Sequence, residues 1–97
     1  MNGTDLLTEY RVSRSERAFA QLVQRYTNLV YSAARRRLAN DAAAQEATQS
    51  VFIRLATAAP DLRDEAALVS WLHRTIIRFR DVRGPELVKA VNALLEE

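Results

Sequence analysis

Few side chains in this 97-residue chain could carry out chemistry. It has one histidine, His73, and no cysteine. That excludes thiol catalysis, disulfides and cysteine metal sites, and a lone histidine cannot build a histidine metal site by itself. Asp61 and Asp64 form a loop pair that helix capping explains. Asp41, Glu46 and Asp61 lack the regular pairing of di-metal carboxylate bundles. No Ser/His/Asp set occurs at a familiar spacing, and no glycine-rich loop could cradle a phosphate. His73 lies on a charged helix face and suits a solvent or phosphate contact better than a general base. The expectation is a domain with no catalytic centre, no metal and no cofactor.

Charge is more informative. Thirteen of the fourteen basic residues are arginine, Lys89 being the exception. Arginine suits bidentate phosphate contacts, although a GC-rich genome produces the same bias. Residues 1–40 sum to +4, 41–64 to −2, 65–84 to +2 and 85–97 to −2, for the net +2 of the whole chain. The molecule is therefore no polycation. Arg35, Arg36 and Arg37 end a helical pattern, where cations complement the macrodipole.

The elements that must position these groups read as helices. Asn40 to Pro60 is the clearest, with Asn40 or Asp41 as cap and Pro60 as stop. At 100° per residue, Ala44, Ala47, Thr48, Val51, Leu55 and Ala58 share one face, with Phe52 on its edge. The opposite face carries Ala42, Gln45, Glu46, Gln49, Ile53 and Ala56. It is nearly uncharged, and charge depletion marks the centre of a protein–protein contact; scattered surface apolar residues such as Ile53 are also common.

Before this central helix, Thr4 is expected to cap a short helix through about Arg11. Ser13 with Glu16 fits a capping box for a long helix to about Ala39. Its expected stripe is Phe19, Val23, Tyr26, Val30 and Ala33 or Ala34, flanked by Leu22 and Leu29. After it, Asp64 caps a third long helix, Glu65 to about Val82. Leu68, Trp71, Leu72, Thr75, Phe79 and Val82 form its core side, with Ile76 near the edge. His73, Arg74, Ile77, Arg78 and Arg80 lie on its outer side. Gly84 fits a C-terminal cap, and Pro85 opens an amphipathic helix to Glu96. The fold class is all-α: a small orthogonal or antiparallel bundle of three main helices plus short terminal ones. Residues 1–84 form the domain, and 85–97 form a C-terminal helix or the start of a linker. No signal-peptide core or membrane-length apolar run occurs, so a soluble intracellular protein is the default.

The residues themselves carry the reading further. Phe19-Ala20-Gln21-Leu22-Val23-Gln24-Arg25-Tyr26, followed by Val30-Tyr31-Ser32-Ala33-Ala34-Arg35, resembles the opening of region 2 of bacterial RNA polymerase sigma factors, of the sigma-70 family and extracytoplasmic-function type. Ala44-Gln45-Glu46-Ala47-Thr48-Gln49-Ser50-Val51-Phe52-Ile53-Arg54-Leu55 resembles that family's A-E-D-x-x-Q-E-x-F-x-R-L helix. Ser70-Trp71-Leu72-His73-Arg74-Thr75 resembles its W-L-y-R segment. The blocks stand in family order and span roughly residues 5 to 83.

The resemblance implies that the central helix docks on the clamp helices of the polymerase β′ subunit through Gln45, Glu46 and Gln49, with Ile53 and Arg54 as neighbours. It implies that Arg63, Arg74, Arg78, Arg80 and Arg83 contact the promoter −10 element and help hold melted DNA. It also implies a cytoplasmic, bacterial location and an anti-sigma factor as a possible regulator. Several positions depart from the family. Gln45 replaces the usual Glu, Glu46 the usual Asp and Ser50 the second acidic residue, while Arg78 stands where Asn is usual. After Arg83 come Gly84, Pro85 and a net acidic tail in place of an arginine-rich continuation. These 97 residues hold no second helix-turn-helix domain, the part that reads the −35 element, so the chain is either an isolated domain of a longer protein or a reduced sigma-like module. The rival expectation is therefore a sigma-like protein–protein module without promoter activity, self-associating through the 85–97 helix or regulatory.

Overall fold

The computed structural model describes residues 2–83, and for residues 79–83 the backbone alone. Among the described residues, four α-helices follow one another: α1 Gly3–Ser13, α2 Glu16–Arg37, α3 Asp41–Ala58 and α4 Glu65–Arg83. There is no strand among them, and the all-α expectation holds. Helix α2 packs against each of the other three, and α4 also lies against α1 and α3.

Each helix starts where a short polar side chain takes up free amides. Asn40 accepts from the Ala43 amide at 2.8 Å, and Asp64 from the Ala67 amide at 2.8 Å. The cap of α3 is thus Asn40, with Asp41 as the first helical residue. Two expected caps are corrected. Helix α1 is capped by Asn2, in a reciprocal box with Asp5, while Thr4 is buried inside the first turn. Helix α2 is capped by Ser15, which accepts from the Ala18 amide at 3.1 Å. Ser13 ends α1 instead, its hydroxyl donating to the Glu9 carbonyl. Helix α3 stops at Ala59, which adopts a left-handed conformation just before Pro60.

The core runs through all four helices: Leu6 and Leu7; Ala18, Leu22, Tyr26, Val30, Ala33 and Ala34; Ala44, Ala47, Val51, Phe52 and Leu55; Leu68, Leu72 and Ile76. Burying each leucine contributes about 2 kcal/mol relative to leaving it exposed. On α3 the small residues Ala44 and Ala47 let neighbouring backbones approach closely. Buried Thr48 donates its hydroxyl to the Ala44 carbonyl at 2.8 Å, so it carries no unmet polar group.

The expected stripe of α2 holds at Tyr26, Val30, Ala33 and Ala34, and is off by one position only in the N-terminal half of the helix, where Ala18 and Leu22 are buried. Leu22, placed on the flank, is fully buried, while Phe19 and Val23 are only partly buried against the core. The reason is α1, which covers α2 and brings Leu6 and Leu7 into the same cluster. Trp71 is half-buried, not a full core member, and Ile76 is buried at the centre. Ala58 is exposed. The core positions Phe79 and Val82 lie outside the described side chains, and Gly84 with the 85–96 helix lies outside the described residues.

Candidate functional site

With one side of α3 committed to the core, the remaining positions must face outward. Gln45, Glu46, Gln49, Ile53 and Arg54 are all exposed. Ile53 is 66% exposed, a large apolar side chain in solvent. Gln45, Gln49 and Ile53 lie within one sector of the helix, and Glu46 borders it. Arg54 sits half a turn round from Gln45, on the far edge.

Both ends of this face are braced by other helices. At its C-terminal end, the Tyr10 hydroxyl donates to the Ala56 carbonyl at 3.0 Å, and Arg11 Nε donates to the Ala59 carbonyl at 2.9 Å. Arg11 also pairs with Asp61 at 3.2 Å. These bonds satisfy carbonyls that a helix end leaves free. At the N-terminal end, Asp41 is held on both carboxylate oxygens. Tyr31 of α2 donates its hydroxyl to Oδ1, and Gln45 Nε2 donates to Oδ2 at 2.7 Å. The bond to Asp41 is the main reason the Tyr31 hydroxyl titrates above its ordinary value.

The second set of positions lies on α4 and the loop before it. Arg63, Arg74 and Arg78 are exposed, the last two a helical turn apart and so on one face. Arg80 and Arg83 are helical positions, but their side chains lie outside the described residues. His73 is half-buried, and Ile77 is 39% exposed.

Three partners converge where α4 begins. Glu65 Oε1 accepts from the Gly3 amide at 2.9 Å and from the Tyr26 hydroxyl at 2.7 Å, and Arg25 lies 3.4 Å from it. The amide bond, the tyrosine bond and the Arg25 charge together hold the Glu65 carboxyl below its usual value. Burial, then the bond to Glu65, pushes the Tyr26 hydroxyl up to about 12.

Sequence reasoning missed these supporting residues. Tyr26 was legible only as core, Glu65 only as the start of a helix, and Gly3 not at all. The Asp41–Gln45 spacing of four was a usable signal, since such pairs meet on a helix surface.

No group of three or more His, Cys, Asp or Glu among the described residues could hold a metal ion. Among them, no helix is long and apolar enough to cross a membrane. No curated protein and no solved structure matches the chain at a significant level. A family model described as Sigma-70 region 2 matches residues 22–80, which takes in most of α2, all of α3 and most of α4. The match covers more than half of the chain, so the protein belongs to the sigma-70 region 2 family of non-enzymatic domains that act in RNA polymerase binding and promoter melting.

Proposed function

We propose that the domain is of the extracytoplasmic-function type and docks on core RNA polymerase through the outer face of α3. Gln45, Glu46, Gln49 and Ile53 form the contact to the β′ clamp helices, and Arg54 lies at its margin. The observation that carries this reading is Ile53, 66% exposed on a charge-poor face. Buried again under a partner, it would contribute about 2 kcal/mol to binding. Bracing by Tyr10 and Arg11 at one end and by Tyr31 at the other suits a surface that binds without rearranging.

In the same reading, Arg63, Arg74 and Arg78 contact phosphates of the −10 region, and the positions of Arg80 and Arg83 extend the set. Few cations are available, so DNA binding is weak alone and becomes measurable when polymerase holds the domain in place. The experiment is capture of core polymerase by the isolated chain, followed by titration with a labelled −10 non-template strand.

A second reading rests on the sequence after Arg83, where Gly84, Pro85 and the net acidic 85–97 segment replace further arginines. It keeps the polymerase contact without promoter binding and leaves the segment for self-association or for an anti-sigma factor. Capture of polymerase with no added strand affinity at low salt would favour it.

A further inference from the structure

The geometry points to Tyr31 as a positioning residue for polymerase docking, acting through Asp41 to hold Gln45 as a neutral hydrogen-bond acceptor at the edge of the docking face. The inference rests on the docking reading and adds to it the chemistry of one contact.

Asp41 stands between two donors. Its Oδ2 accepts from Gln45 Nε2 at 2.7 Å, one turn along the same helix. Its Oδ1 accepts from the Tyr31 hydroxyl, which comes from α2. Tyr31 is half-buried and packed against the core, so its ring is a fixed post, whereas Asp41 and Gln45 are exposed and would otherwise sample several rotamers. As the first residue of α3, Asp41 is a favourable place for a carboxylate. Tyr31 therefore fixes Asp41, and Asp41 fixes the amide nitrogen of Gln45.

Two consequences follow. With its NH₂ group turned back to Asp41, Gln45 presents Oε1 outward. The face then offers a neutral carbonyl acceptor to an N–H donor of the partner, beside the exposed Asp41 carboxylate. Glutamate at position 45 could not make this arrangement, because its carboxylate would face that of Asp41, and like charges four residues apart on a helix repel. Glutamine at this position and aspartate at 41 thus belong together, and Tyr31 orders the pair before binding. Rotamer freedom removed in advance is not lost on association.

The test is a double-mutant cycle on affinity for core polymerase, with thermal unfolding followed in parallel. The variants are Tyr31→Phe, Gln45→Ala, the two combined, and Ile53→Glu. Tyr31→Phe is expected to lower affinity roughly three- to tenfold, the range of one net hydrogen bond. Gln45→Ala should lower it at least as much, and the combined variant should bind no more weakly than Gln45→Ala alone. That non-additivity is what a residue acting through Gln45 produces, and a purely stabilising role for Tyr31 would not produce it. If Tyr31→Phe binds like the parent while Ile53→Glu binds weakly, the positioning role is overturned and the docking face stands. The positioning role also falls if the two losses multiply. If Gln45→Ala and Ile53→Glu both bind like the parent, the docking reading falls and takes this inference with it.

Discussion

The hydroxyl of Tyr26 donates a 2.7 Å hydrogen bond to Glu65, joining the middle of α2 to the first residue of α4. The same carboxylate oxygen accepts from the Gly3 amide, so one side chain holds three helices. It also anchors the helix that carries Arg74 and Arg78, immediately after the loop that carries Arg63.

Glu65 makes stability depend on pH. Its folded-state pKa lies below the usual value of 4.5, so its contribution is complete above that value and is lost as pH falls through the lowered pKa. The stability gap between the parent and Glu65→Gln should be constant well above pH 4.5 and close progressively as pH falls below it. Tyr26 acts at the other extreme. Its pKa is raised to about 12, so its contribution is full below the ordinary tyrosine value and is lost only as pH rises through about 12. Urea unfolding midpoints across the acid range and an ultraviolet absorbance titration at high pH measure the two.

Gly3 is required by a close approach. A Cβ there would lie 2.1 Å from the Tyr26 hydroxyl oxygen and 2.7 Å from two ring carbons. Helix propensity alone would favour Gly3→Ala by about 1 kcal/mol. The clash should reverse the sign and destabilise the domain by roughly 1–3 kcal/mol. Adding Tyr26→Phe should recover only part of the loss, because the ring carbons remain. Thermal unfolding of the single and double variants checks this.

Trp71 is half-buried against the core. Trp71→Ala should cost about 2 kcal/mol, below the 3–5 kcal/mol of a fully buried aromatic and above the 0.5 kcal/mol of an ordinary surface change. Denaturant unfolding distinguishes these values.

Arg74→Ala with Arg78→Ala should weaken binding to a −10 non-template strand held with core polymerase and reduce the salt dependence by roughly one to two ions. Fluorescence anisotropy at two salt concentrations reads both effects. An unchanged salt slope would make these arginines a solvated face.

Local signals were legible in the sequence, and packing between helices was not. Asn40, Asp64 and Pro60 set helix boundaries by capping and by blocking, which depend on a few neighbouring residues. The inner face of α3 was readable because its alanines, Val51 and Leu55 keep one phase. On α2, Phe19 and Val23 drew the expected stripe toward themselves by size, but α1 decides which side is covered. The Gly3–Glu65 bond joins residues 62 apart, a relation that no periodicity records. Among the site residues, the outward positions of Gln45, Gln49 and Ile53 followed from register, whereas the role of Tyr31 needed the position of its hydroxyl.

The measurement that bears most directly on the account is the affinity of core RNA polymerase for Ile53→Glu and Gln49→Arg, beside the parent. Both side chains are exposed and leave the core untouched, so helical circular dichroism should be unchanged and stability should shift by less than about 0.5 kcal/mol. Affinity should fall at least tenfold for Ile53→Glu, since a carboxylate would have to lose its hydration where an apolar side chain meets the partner. Parental affinity in both variants, with the fold intact, would contradict docking through the outer face of α3.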